Sequence, residues 1–330
     1  MQKINICLLG CGSVAKLHSR VARTMKSRID LSYASRDIEK AREYQRMFKG
    51  VGAFGSYEEA CADPDVDAVF ICTPHAYHVE HARLAAKHSK PMLIEKPITR
   101  TLEELSEIEN AVQAVDVPCM VAENYFFKPL ISTLRASIAD GAIGDPLFIE
   151  LNRTKRSKIS GWRADAEMMG GGALLEGGVH WINLICSIGG EVSEVLAAQP
   201  GKAYKKIAPF EDSMEVLFKF SDGTIGKMLH SWNLSNRIGG LCWSKICGTE
   251  GNIQFESNGV LALLLGKKTR LYVPGLLDLM GYREMLKHFV DCVIEQRQPA
   301  MSLRVARRDM AIVHAAYTSL STGKFERVAQ

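Results

Sequence analysis

Between Met1 and Ala122 the chain alternates short apolar runs with longer segments whose apolar residues recur at helical spacing. The runs INICLL, LSYA, AVFICT, PMLIE and PCMVAE read as strands, and segments such as VEHARLAAKH and LEELSEIENAVQAV read as helices between them. This alternation dictates a parallel sheet, because a helix between two strands returns the chain to the same end of the sheet, and the helices then cover both faces. After NYFFKP the texture changes. PLFIELNRT, EVLAAQ, SMEVLFKF, GTIGKMLHSWN, SKICGT, GNIQFES and LALLLG are strand candidates punctuated by turn residues, the pattern of a mostly antiparallel sheet that can leave one face open. YREMLKHFVDCVIEQ and RVARRDMAIVHAAYTSL follow as helices. The expected fold is therefore α/β throughout. A doubly wound parallel domain spans residues 1–122, and a second α/β domain with a large, open-faced, mostly antiparallel sheet spans residues 123–330.

Composition removes several classes of protein. The 41 basic and 37 acidic side chains leave a formal charge of only +4, too slight and too evenly spread for a nucleic-acid footprint. One basic run, Arg153 to Lys158, reads as a solvated loop or as the lining for an anionic ligand. Nine cysteines without paired spacing read as small apolar residues in a reducing compartment, and no metal site is expected. The first apolar run leads straight into glycines without a cleavage site, and no run approaches the roughly 20 residues of a membrane span. We therefore expect a cytoplasmic protein that binds neither nucleic acid nor membrane, and the open sheet leads us to expect a homodimer or homotetramer.

Gly10-Cys11-Gly12-Ser13-Val14-Ala15 follows the first strand directly, in the pattern G-x-G-x-x-A. The first glycine permits a tight turn, the second lets the backbone approach a pyrophosphate, and the alanine allows close packing of helix on strand. The helix N-terminus carrying Ser13 and Val14 then faces the phosphates. Roughly 20 residues on, an NAD-binding domain carries an acid for the ribose hydroxyls. Here that place reads YASRD, and Ser35 beside Arg36 suits the 2′-phosphate of NADP. Two alternatives stay open: Ser35 as a helix cap with Arg36 turned to water, and Asp37 as an acid one step late, which keeps NAD in play. AVFICTPHAYH brings Thr73, Pro74 and His75, with His78 close behind, to the carboxyl edge where ligands of such sheets bind, and PMLIEKP delivers Glu95 and Lys96 there.

GCGSVAKLH, ICTPHAYH, IEKP, AENYFFKP, GWR and GGGALLEGGVH, in this order, resemble the Gfo/Idh/MocA oxidoreductases, a family named after glucose–fructose oxidoreductase and inositol dehydrogenase. The resemblance runs over nearly the whole chain. It implies a Rossmann domain followed by a mostly antiparallel α/β domain, a nicotinamide cofactor between them, and a sugar, polyol or related alcohol as substrate. It also implies that Lys96 and His180 are active-site residues, with Glu176 where the family usually has Asp and Asn183 where it often has Asp. Asn124, Trp162, Arg163 and Tyr282 match positions that approach the cofactor in NADP-dependent relatives.

Residues 176, 180 and 183 stand at i, i+4 and i+7 on one face of a helix whose other positions, Leu174, Leu175, Val179, Trp181 and Ile182, are apolar. That polar face is expected to look into a substrate pocket; the alternative is a structural i, i+4 pair. In the chemistry the resemblance implies, His180 takes or returns the hydroxyl proton, Lys96 polarises the oxygen, and Glu176 orients the ring or binds a hydroxyl. The expected function is NADP(H)-dependent hydride transfer between nicotinamide and a carbinol or keto carbon. Two other functions fit the same fold: a redox-assisted glycosidase or lyase with a tightly held cofactor, and a non-catalytic regulator that senses dinucleotide.

Overall fold

The computed structural model describes residues 2–201, 210–234 and 241–329, which fall into two compact units. The first unit comprises Met1–Glu123 with Tyr282–Arg307. Its strands are β1 (Ile4–Leu9), β2 (Ile29–Ala34), β3 (Gly52–Phe54), β4 (Ala68–Ile71), β5 (Met92–Ile94) and β6 (Cys119–Val121). They lie in the order β3-β2-β1-β4-β5-β6, every neighbour parallel. Between them run α1 (Ser13–Ala22), α2 (Ile38–Phe48), α3 (Tyr57–Ala62), α4 (His78–Lys87) and α5 (Leu102–Gln113). β1 and β4 are buried on both faces, which is why each reads as one apolar run without alternation. Ser56 and Thr101 cap α3 and α5, their hydroxyls accepting from the backbone N–H groups of Glu59 and Glu104. The strand order reverses between β1 and β4, and the crevice at such a switch point is where doubly wound sheets bind ligands.

The second unit comprises Asn124–Gly281 with Arg308–Gln330. It opens with α6 (Pro129–Ala139), β7 (Pro146–Thr154), the short α7 (Ala166–Met169), a π-helical turn at Leu174–Gly178, and α8 (Val179–Gly189). There follow β8 (Val192–Ala198), β9 (Ser213–Phe220), β10 (Ile225–Ser231), β11 (Trp243–Gly248), β12 (Gly251–Glu256), β13 (Ala262–Leu265), β14 (Thr269–Tyr272) and, near the C-terminus, β15 (Glu326–Arg327). The sheet order is β14-β13-β12-β11-β7-β10-β9-β8-β15. Neighbours are antiparallel except β7 and β10, which run parallel. α8 packs on one face, so closely that a Cβ on Gly226 would come within 2.7 Å of Ile185. The other face leaves Phe148, Trp243 and Leu271 exposed by 58%, 53% and 66%. Among the described residues no helix is long and apolar enough to cross a membrane.

Two helices complete the chain: α9 (Tyr282–Glu295) in the first unit, and α10 (Leu303–Thr322), of which the residues up to Arg307 belong there as well. The sequence reading places all of 123–330 in one domain, and here the structure divides the chain differently. Asp291 takes a hydrogen bond from Arg28 at 2.7 Å, Met301 O accepts from the Val121 N–H at 3.3 Å, and Arg307 Nε donates to Glu109 at 2.8 Å. Contacts between segments so distant in sequence leave no local pattern to read.

Candidate active site

β1 runs into Gly10, whose φ of 102° is closed to an L side chain. A Cβ there would also lie 3.1 Å from Thr73 Cγ2, so the end of β4 requires the space. At Gly12, in contrast, a Cβ would meet nothing within 4 Å. That open side lies at the start of α1, where no side chain caps the helix and the first N–H groups are left for another acceptor. This cradle fits the pyrophosphate of a dinucleotide.

At the end of β2, Ser35 Oγ accepts from the Asp37 N–H at 3.2 Å, while the Asp37 carboxylate accepts from the Glu39 N–H at 3.0 Å. The cap of α2 is thus Asp37, not Ser35, through one carboxylate oxygen of an exposed side chain. Arg36 is exposed, with its guanidinium 5.8 Å above the Tyr77 ring. It stands at the rim of a cleft of about 880 Å³ whose walls include Ser56, Tyr57 and His81. Burial, with His78 and Arg36 nearby, pushes His81 down to about 4, so the ring that meets Thr73 Oγ1 at 2.9 Å is neutral at pH 7.

His78 departs from its expected role. It is fully buried, with Nδ1 3.0 Å from Ile98 O and Nε2 3.0 Å from Thr73 O. Both ring nitrogens face the backbone, so the ring braces the end of β4 against the loop after β5 and does not offer itself to a ligand. Thr73 and His75, on either side of Pro74 in the chain, are also buried.

β5 leads into Glu95 and Lys96. The Glu95 side chain is buried and turns back, its Oε1 2.6 Å from His18 Nε2 and its Oε2 accepting from the Lys96 N–H at 3.1 Å. Burial alone would raise this carboxyl, but the hydrogen bond and charge of His18, with the charge of Lys96, bring it below the usual carboxylate range. Glu95 therefore fixes the main chain at Lys96, just before the cis Lys96–Pro97 peptide. His18 is clasped between Phe70, at 4.5 Å between ring centres, and the edge of Tyr282 at 5.4 Å. Sequence reasoning assigned His18 no role although it ends the GCGSVAKLH motif, because 77 residues separate it from Glu95.

In the second unit, Trp162 and Arg163 sit in a single 3-10 turn, Gly161–Ala164. The Arg163 guanidinium stacks 4.5 Å above Trp162, and its Nε donates to Glu176 Oε1 at 2.9 Å. Glu176 lies inside the π turn. Gly177 belongs there because a Cβ would lie 2.8 Å from His230 Nε2, and the glycines before it make room for Glu211 and Tyr317. Glu211 Oε1 accepts from the Leu174 N–H and from the Tyr317 hydroxyl, both at 2.9 Å. Burial holds the Glu211 carboxyl above its ordinary value against these donors. The His180 imidazole, first turn of α8, stacks on Tyr125 with ring centres 4.5 Å apart and planes within 18°.

The shared polar face expected of 176, 180 and 183 needs correcting at Asn183. This side chain is fully buried, and its amide donates to Asp309 Oδ2 on α10 at 2.6 Å. Where the family often has a carboxylate, this chain has an amide that holds one supplied by another helix. Asn124, also buried, donates to Met280 O at 2.7 Å. Tyr125, Lys128, Glu211, Tyr317 and Asp309 escaped sequence reasoning: Tyr125, Glu211, Tyr317 and Asp309 meet partners distant in sequence, and Lys128 lies against its near neighbour Tyr125 without a periodic signal.

Residues 4–123 match the model of an oxidoreductase family with an NAD-binding Rossmann fold, GFO/IDH/MocA, and residues 131–254 match the GFO/IDH/MocA C-terminal domain. The chain belongs to the Gfo/Idh/MocA oxidoreductase family. It is similar to the trans-1,2-dihydrobenzene-1,2-diol dehydrogenase of Xenopus tropicalis, 26% identical over 306 residues that cover 88% of this chain and 89% of the relative. It is also similar to the levoglucosan dehydrogenase of Pseudarthrobacter phenanthrenivorans, 28% identical over 291 residues, 78% of this chain and 74% of the relative. The solved structure of a levoglucosan dehydrogenase in complex with NADH shares the fold over the whole of both chains, with a TM-score of 0.91 at 23% identity. Like that family, this Gfo/Idh/MocA chain joins a parallel Rossmann sheet to a mostly antiparallel one, as the resemblance implied.

Proposed function

We propose that this chain is an NADP(H)-dependent dehydrogenase or ketoreductase that moves a hydride between nicotinamide and a carbinol or keto carbon of a sugar, polyol or related compound. The observation that carries the reading is the edge beyond β5, where the buried His18–Glu95 pair fixes the main chain of a lysine beside a dinucleotide cradle. Gly10, Gly12, Ser13 and Val14 would hold the pyrophosphate. Ser35 and Arg36 would hold a 2′-phosphate; an exposed guanidinium beside a serine hydroxyl supports NADP over NAD. Thr73, Pro74 and His75, with Asn124, Trp162, Arg163 and Tyr282, are the further cofactor contacts that the family pattern implies.

When bound, the nicotinamide supplies the hydride acceptor or donor. The Lys96 ammonium donates a hydrogen bond to the substrate oxygen and stabilises the negative charge that develops on it. His180 removes the hydroxyl proton in oxidation and returns it in reduction. Glu176 anchors Arg163, which fixes the Trp162–Arg163 turn against the segment that carries His180. Relatives named for a diol and for levoglucosan support a substrate with an alcohol carbon. The free state of all nine cysteines supports a reducing, cytoplasmic setting, and the exposed Phe148, Trp243 and Leu271 support a homodimer or homotetramer. The test is a screen of sugars, polyols and their keto forms with NADP⁺ and NADPH, following the absorbance of the reduced cofactor. Net turnover is expected. A nucleotide that copurifies and never turns over with any compound would overturn the reading in favour of a cofactor recycled in place.

A further inference from the structure

A lysine in the second unit is buried against the aromatic ring on which His180 stacks. Lys128 is 0% exposed, and its ammonium lies 4.1 Å from the centre of the Tyr125 ring. Tyr125 is the ring that stacks on the His180 imidazole, and Trp181 meets it edge-on at 5.1 Å. The backbone around this group has little room to move. Gly281 has a φ of 76°, and a Cβ on it would come within 2.5 Å of Asn124 O and 2.8 Å of Lys128 N. Gly259 closes over the lysine stem, where an added Cβ would lie 3.4 Å from Lys128 Cε.

The stem of Lys128 is buried and its ammonium lies over the ring, so this side chain meets Tyr125 with a cation and not with apolar packing alone. The cation does supply something a methionine lacks. It is attracted to the face of an aromatic ring and so sets the plane of that ring. A histidine ring otherwise turns broadly about its second side-chain torsion, and a parallel stack removes that freedom. Proton transfer depends on this setting, because a nitrogen that is misdirected by even a small rotation leaves hydrogen-bond reach of the hydroxyl.

We propose that Lys128 is a positioning residue for the reaction: its ammonium pins the Tyr125 ring, and that ring holds the His180 imidazole in the one plane from which it exchanges a proton with the substrate. The inference rests on His180 as the proton-transfer group, and the experiment separates the two ideas. The full chain is labelled with ¹³C-histidine, and the His180 Cε1–Hε1 resonance is assigned from its disappearance in His180→Asn. Lys128→Met is expected to move that resonance, because the ring current of Tyr125 no longer falls on a fixed imidazole. It is also expected to lower kcat about 100-fold on the compound turned over fastest, with the KM for NADPH unchanged. Tyr125→Leu reaches the same end by removing the platform itself.

An unmoved resonance in folded Lys128→Met overturns the proposal whatever the kinetics. A moved resonance with unchanged kcat shows that the contact exists but does not serve the reaction, which ends this proposal, whereas a wild-type kcat in His180→Asn ends the reading it rests on. If both variants lose activity only together with their circular dichroism, Lys128 is a packing residue and the proposal fails.

Discussion

Glu176 stands where the family usually has aspartate, and its Oε1 reaches Arg163 Nε at 2.9 Å. Replacing it with aspartate withdraws the carboxylate by one carbon–carbon bond, about 1.5 Å, which opens the contact to roughly 4 Å and beyond hydrogen-bond range. A charge-assisted hydrogen bond contributes about 1.5 to 3 kcal/mol. The two side chains are 30% and 14% exposed, and screening by solvent brings that figure toward about 1 kcal/mol. If the bond holds Arg163 where the reaction needs it, Glu176→Asp should lower kcat/KM about fivefold. The assay is a double-mutant cycle on kcat/KM with Glu176→Asp, Arg163→Ala and the double variant. The double variant should lose no more than Arg163→Ala alone, a coupling of about 1 kcal/mol. Additive losses, with a coupling below about 0.5 kcal/mol, would refute the argument and give the longer side chain some other purpose.

Lys96→Met should abolish most turnover while the protein stays folded and retains nucleotide in a direct binding titration; near wild-type turnover sinks its assignment. His180→Asn should lower kcat by roughly 100-fold or more, with circular dichroism unchanged. Wild-type protein should bind NADPH at least about tenfold more tightly than NADH, and Arg36→Ala should erase most of that difference while scarcely changing NADH affinity, as read by titration calorimetry. The Glu95 carboxyl titrates lower in the folded chain than in the unfolded one, so its stabilisation is complete above the unfolded value near about 4.3 and is lost as pH falls through the folded value. The gap in Tm between wild type and Glu95→Gln should therefore hold steady from pH 7 to about 5 and shrink below about 4.3; a gap unchanged at pH 3 counts against a depressed carboxyl.

Much of this architecture is legible in the sequence wherever a local period carries it. β1 and β4 announce themselves because burial on both faces demands an unbroken apolar run. β3 does not, being three half-buried residues, and β14 and β15 are equally short of pattern. In the site, Gly10 and Gly12 are readable because a phosphate cradle needs small residues at fixed spacing. Lys128 is not, since nothing near it in the sequence separates a lysine that lies against Tyr125 from one in water. Ser35 and Asp37 show a finer limit: both are good caps, and backbone geometry decides that Asp37 takes the role. Helical spacing puts Asn183 in line with His180, yet the neighbour that claims its amide, Asp309, lies 126 residues away.

The parallel pairing of β7 with β10 governs how the second sheet can assemble. β8, β9 and β10 form one antiparallel ribbon, and β11 to β14 form another, each built from strands that follow one another along the chain. The ribbons join through β7, where Ile149 lies opposite Gly226 on one side and Ile246 on the other. Each ribbon pairs strands that are neighbours in sequence, whereas seating β7 requires closing loops of several tens of residues before any bond repays the lost entropy. The seam therefore forms late. A proline at Ile149, which would remove a ladder donor at the centre of β7, would leave two formed ribbons with nothing to hold them side by side, an expanded unit and not an unfolded chain.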